Sequence, residues 1–119
     1  MARPTTLLTP EVVDGLVARL DDGDESREVL KPLAKHFLAV LAQNAPGRSV
    51  EVRVPPFAAV QCIEGSTHTR GTPPAVVETD ARTWIDLALG RSQWADEAVR
   101  AKVRASGQRS DLSAHLPLV

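Results

Sequence analysis

Three histidines, one cysteine and one short polar loop hold most of the side chains in this 119-residue chain that could do chemistry. His36, His68 and His115 are far apart, with no i,i+4 pair and no neighbouring cysteine, so local spacing supplies no zinc site. Glu64, His68 and Arg70 fall in one polar stretch ahead of Gly71. A general acid or base needs a carboxylate or imidazole held against its substrate. An arginine beside it can clamp a carboxylate or a phosphate headgroup. The same residues equally suit a solvated loop ending in a Gly-Thr-Pro-Pro turn, so His68 and Arg70 stand as possible headgroup contacts rather than as catalytic groups. Cys62 sits in Val60-Gln61-Cys62-Ile63 without a histidine beside it in sequence. A nucleophilic thiol needs a depressed pKa and exposure, whereas free cysteine is among the most buried residue types. A structural core cysteine is the expectation. No Ser-His-Asp order or glycine-rich phosphate loop is present, and Gly65 and Gly71 are isolated. The chain is therefore expected to have no catalytic residue, no metal and no cofactor.

The apolar side chains offer a different chemistry. Val52, Val54, Phe57, Ala59, Val60, Trp84, Leu87, Leu112, Leu116 and Leu118 could line a cavity between a sheet and its covering helices. With two Phe, two Trp and no Tyr, the interior is built mostly from Val, Leu and Ala. Such residues can leave room for an acyl chain, or interdigitate into a solid core, which is the ordinary state of protein interiors. Each buried methylene is worth about 0.8 kcal/mol, so a sixteen-carbon chain gains on the order of 12 kcal/mol gross. Association takes back roughly 4 to 15 kcal/mol. Binding is reachable for a preformed cavity and out of reach for a packed core that must be opened.

These residues must be positioned by a mixed order of elements. Thr9-Pro10-Glu11 reads as a helix start, with an N-cap hydroxyl, a proline in place of an orphan donor and an acid that suits the dipole. Val13, Leu16, Val17 and Leu20 then form one stripe, closed by Asp21 to Asp24. This amphipathic helix is expected to cover one side of the sheet; a lid or a partner face is the functional alternative. A second helix, begun near Glu28 so that Pro32 stays in its first turn, carries Leu30, Leu33, Ala34, Phe37, Leu38 and Leu41 inward and His36 at its boundary. Val50, Val52 and Val54 alternate with Glu51 and Arg53 as a strand with one wet face, ended by Pro55-Pro56. Phe57 to Ile63 reads as a strand buried on both faces. After a polar loop, Ala75 to Thr79 forms a third strand. Asp80 caps a helix with Trp84, Leu87 and Ala88 inward and Gly90 as terminator. Ser92 is expected to cap a short helix with Trp94, Ala98 and Val99 inward, and Val103 and Ala105 mark a last strand ending at Gly107. Trp84 and Trp94 are both expected to be largely buried.

Length and composition bound the class. The expectation is a flexible N-terminus over residues 1–8 and a single domain over residues 9–119. Eleven Arg and three Lys are scattered among fifteen acids for a net charge of −1, which gives no reason to expect nucleic acid. The lone cysteine fits a reducing cytoplasm. No early run resembles a signal peptide, and no apolar run approaches a membrane span, so stable insertion is not expected.

Four stretches together are informative beyond their local physics. Asp-Ala-Arg-Thr-Trp-Ile-Asp-Leu-Ala-Leu-Gly-Arg (80–91), Trp94, Lys-Val-Arg-Ala-Ser-Gly (102–107) and Asp-Leu-Ser-Ala-His-Leu-Pro-Leu (111–118) resemble, in order and spacing, the end of the sterol-carrier-protein domain. Arg-Val-Pro-Pro-Phe-Ala-Ala-Val-Gln (53–61) and His-Thr-Arg-Gly-Thr-Pro-Pro (68–74) look like its small stand-alone actinobacterial branch. The resemblance spans roughly residues 49–118, and in it His115 resembles a position of the last helix. It implies an α/β (α+β) sterol-carrier-like fold, a mainly antiparallel sheet of about five strands covered on one face by helices. It also implies non-catalytic binding or transport of a lipid or fatty-acyl molecule in a hydrophobic cavity. Val52, Val54, Phe57, Val60, Trp84, Leu87, Leu112, Leu116 and Leu118 would then line the cavity. Two other classes stay open: a protein-interaction module with a filled core, and an enzyme related to the thiol-dependent isomerases to which such domains occur fused.

Overall fold

The computed structural model describes residues 7–65, 75–106 and 111–119. Two helices come first, α1 (Pro10–Asp21) and α2 (Arg27–Asn44). Strands β1 (Val50–Val54), β2 (Ala58–Cys62) and β3 (Ala75–Thr79) follow, then helices α3 (Ala81–Leu89) and α4 (Trp94–Val99). Strand β4 (Val103–Ser106) and a 3-10 turn (Ser113–His115) close the described chain. The sheet is open, in the order β2-β1-β3-β4. β1 pairs antiparallel with β2 and parallel with β3, and β3 pairs antiparallel with β4. The mixed α+β class is as expected, with four strands among the described residues rather than about five.

Helix ends follow their local chemistry. Thr9 caps α1 with its hydroxyl accepting from Val12 N, ahead of Pro10. α2 begins at Arg27, so Pro32 lies in its second turn rather than its first. Asp80 caps α3, its carboxylate accepting from Thr83 N at 3.0 Å and from Thr83 Oγ1 at 2.7 Å. Gly90 ends α3 at φ 78°, in the left-handed region that favours glycine. The cap position of α4 is Gln93 rather than Ser92, and it makes no side-chain cap bond.

One core joins the sheet to α2 and α3. Val50, Val52 and Val54 of β1 and Ala75 and Val77 of β3 point into it, meeting Leu33, Phe37, Leu38 and Leu41 of α2 and Trp84, Ile85 and Leu87 of α3. The opposite face is polar: register lines up Arg53, Glu78 and Arg104 across three strands, with Glu51 ion-paired to Arg53. β2 is an edge strand rather than one buried on both faces, since Ala59 and Gln61 are exposed while Ala58 and Val60 are half-buried. α1 packs chiefly on α2 rather than on the sheet. Trp84 is buried, whereas Trp94 is only half-buried at the core margin. Val103 of β4 is buried and Ala105 is exposed.

A tight junction fixes the entry to β1. Gly47 has φ 149°, and a Cβ there would stand 2.3 Å from the Ile63 carbonyl carbon. Ile63, itself at φ 64°, donates its N–H to Ala45 O, and its carbonyl accepts from the Ser49 N–H and hydroxyl. The chain leaving α2 is thereby tied to the end of β2.

Candidate functional site

The site is organised by α3 and the chain end seated against it. The spacing of Trp84, Ile85, Leu87 and Ala88 puts them on one buried face of α3. Trp84 anchors that face, its indole Nε1 donating to Ala34 O of α2 at 3.2 Å. The terminal segment starts at Asp111, whose carboxylate accepts from Ser113 N at 2.8 Å and opens the 3-10 turn. Leu112 is fully buried, and Leu116 and Leu118 are half-buried. Leu118 N donates to Ala88 O at 2.8 Å, which adds one bond at the C-terminal end of α3. Pro117 lies over Gly90, 3.3 Å from where a Cβ would stand. Beneath the segment, Leu87, Trp94, Leu116 and Pro117 border a depression of about 50 Å³.

Nine of the ten residues named as possible cavity lining belong to one apolar cluster; the tenth, Ala59, is exposed. Val52, Val54, Trp84, Leu87 and Leu112 are at most 1% exposed within it, while Phe57, Val60, Leu116 and Leu118 pack at its margin. Val52 faces Val60 across the β1–β2 ladder, so those two share the covered face of the sheet. Phe57 sits in the turn between β1 and β2, with the Arg27 guanidinium 5.9 Å above its ring. His68 and Arg70 lie outside the described residues, as does the rest of their loop from 66 to 74.

The other polar candidates are placed separately. Cys62 is fully buried at the end of β2, and burial pushes its thiol pKa up to about 11. It is protonated at neutral pH, the reverse of what a nucleophile needs. His36 is half-buried on α2, its pKa lowered by desolvation, and its Nδ1 accepts from Leu8 N at 3.1 Å. His115 is half-buried in the terminal turn. Among the described residues, no group of three or more His, Cys, Asp or Glu side chains is placed to hold a metal ion.

Two polar features escape sequence reasoning. Glu97 of α4 is only 4% exposed and its Oε2 has no hydrogen-bond partner, while its other oxygen is 3.6 Å from Arg100 Nη1. Its spacing of three from Trp94 was the available signal, since i and i+3 share a helix face. A cleft of about 330 Å³ also opens at the far end of α3, between Pro55, Thr79, Lys102 and Arg104. Glu78 and Asp80 border it too, and Thr79 Oγ1 donates to Lys102 O at 2.9 Å. Carrying charges of both signs, this cleft suits water and polar solutes rather than an acyl chain.

No helix among the described residues is long and apolar enough to cross a membrane. No curated protein matches the chain. The family model described as bacterial SCP ortholog matches residues 26–118, which takes in the sheet, α2 to α4 and the terminal segment, and the chain belongs to that family, the sterol-carrier-like one.

Proposed function

We propose that the protein binds or transfers, without catalysis, a lipid or another apolar small molecule between the Val52, Val54 and Val60 face of the sheet and the terminal segment bearing Leu112, Leu116 and Leu118. The match to the bacterial SCP family over residues 26–118 carries this reading. The seating of this segment supports it: Leu116 and Leu118 are half-buried at the margin of the same cluster. Small-molecule pockets usually hold about 300–1,000 Å³, so the 50 Å³ depression beside Leu116 accepts an acyl chain only when the segment swings outward. Phe57, Trp84 and Leu87 complete the apolar lining, and His68 and Arg70 are the proposed headgroup contacts. The proposed setting is the cytoplasm.

Leu116→Arg tests the mouth, because a charge there must be desolvated at a cost of several kcal/mol. Binding of a fluorescent fatty acid is expected to fall at least tenfold while the fold survives. Native mass spectrometry of the purified protein should reveal a co-purifying lipid. Absence of saturable uptake of any fatty acid, acyl-CoA or sterol by the wild-type protein overturns the carrier reading. The second reading, an interaction module with a filled core, is favoured by the near-zero exposure of Val52, Val54, Trp84, Leu87 and Leu112. For an enzyme reading, Cys62 offers no nucleophile of the chain's own, being buried with its thiol pKa pushed up to about 11. Cys62→Ser and His68→Ala are expected to leave ligand affinity nearly unchanged, and loss of a measurable thioester, ester or maleyl-type turnover in either would bring the enzyme reading back.

A further inference from the structure

The family match begins at Ser26, yet residues 7–21 are placed against the matched domain. A twelve-residue helix is marginal on its own in water, so α1 depends on its attachments. Its stripe gives modest burial: Leu20 is 2% exposed, Val13, Leu16 and Val17 are half-buried, and Val12 is 47% exposed. At its C-terminal end Asp21 ion-pairs with Arg91, but both side chains are at least 40% exposed, and such pairs contribute little. At its N-terminal end the connection is more sheltered. Leu8 N–H donates to His36 Nδ1 across 28 residues, in a half-buried setting, with the His36 ring edge-on to Phe37 at 5.0 Å.

An imidazole nitrogen accepts only when it carries no proton, so this bond assigns His36 the neutral form with its proton on Nε2. We propose that residues 7–21 are a proton-sensitive strap, held on the family domain by neutral His36 and released when His36 gains a second proton. That proton comes from solvent and goes to Nδ1. The acceptor becomes a donor facing the Leu8 N–H, and a cation is left beside Phe37. Release uncovers the apolar surface beneath Val13, Leu16, Val17 and Leu20.

The titratable and charged groups on the elements around His36 are Glu11, Asp14, Arg19 and Asp21 of α1, Arg27, Glu28, Lys31 and Lys35 of α2, Arg82 and Asp86 of α3, and Cys62 of β2. None of them hydrogen-bonds or ion-pairs with His36 among the described residues, and burial is the cause that lowers its pKa below 6.5. The sign follows from that direction. A histidine with a depressed folded-state pKa contributes stability that is fully present above about pH 6.5 and is lost as pH falls through the lower value. The strap is therefore closed at neutral pH and loosens in acid.

Amide hydrogen exchange of the full chain, corrected for intrinsic rates, tests this at pH 7.5 and pH 5. Protection of Leu8 is expected to drop at least fivefold at the lower pH, with the amides of β1 unchanged. His36→Asn, which offers a non-titrating acceptor near the Nδ1 position, should abolish the pH response. His36→Leu should leave Leu8 unprotected at both pH values. Equal Leu8 protection at the two pH values in the wild type overturns the proposal. So does an undiminished pH response in His36→Asn, or a loss of protection at pH 5 that β1 shares.

Discussion

The indole of Trp84 combines two roles that substitution can separate. It is 1% exposed in the core, and its N–H satisfies the Ala34 carbonyl at 3.2 Å. Trp84→Ala should cost roughly 3–5 kcal/mol, from lost transfer energy plus a cavity. Trp84→Phe keeps most of the apolar volume and should cost less, with about 0.5–1.5 kcal/mol of it coming from the missing hydrogen bond. Urea denaturation of both variants measures the difference; a negligible cost of Trp84→Phe would show that the N–H contributes little. Gly47 gives a backbone counterpart. Alanine there adds a Cβ 2.3 Å from the Ile63 carbonyl carbon at a left-handed φ, so Gly47→Ala should destabilise by more than about 1 kcal/mol. Cys62 makes a kinetic prediction. A buried thiol with a pKa of about 11 should resist iodoacetamide at pH 8 in the native protein and react at the free-thiol rate in denaturant. Rapid native labelling would place the sulfur in contact with solvent.

Each helix end tests how local chemistry sets an element's bounds. Asp80→Ala removes acceptors for both Thr83 N and Thr83 Oγ1 and should cost about 1 kcal/mol, within 0.5–2, read from the thermal midpoint. Asp80→Asn should recover most of that loss, because it still accepts a hydrogen bond. The starts of α1 and α3 and the end of α3 were legible in sequence because Thr9, Asp80 and Gly90 act on backbone within a few residues. The edge position of β2 was not. Its apolar run reads as doubly buried, but Ala59 pairs with Arg53 on the polar face of the sheet, and the edge place follows from β1 pairing onward with β3, thirteen residues past the end of β2. The burial of Glu97 had only its spacing from Trp94 to signal it: α4 is a single short piece whose inner face is set by tertiary packing, and an acid normally marks the outer one. The apolar site residues were readable as a group from periodicity. How closely they pack depends on interlocking of side chains from four elements, which no spacing encodes.

At the scale of the molecule, the family domain and its N-terminal helix differ in how firmly they are held. α1 buries one residue fully, while α2 buries seven along eighteen residues. Removing residues 1–25 should therefore lower stability by much less than any equal deletion within 26–118, and the sheet should survive, as circular dichroism of the truncated chain would show. The sheet order has a further consequence, one of timing. β1 and β2 are neighbours joined by a three-residue turn, whereas Val50 of β1 meets Ala75 of β3, and Thr79 of β3 meets Val103 of β4. A contact between near neighbours in sequence closes cheaply, and one that spans two dozen residues must first overcome loop entropy. The parallel seam between β1 and β3 joins two units that can each begin to organise separately, a hairpin with α2 and a β3-α3-α4-β4 segment. Val52→Ala and Val77→Ala, which weaken that seam from opposite sides, should then slow folding and speed unfolding in similar proportion, whereas Ala58→Gly at the hairpin should act mainly on the folding rate. The middle of the sheet, its most protected place once formed, would be where the chain spends longest before committing to its native state.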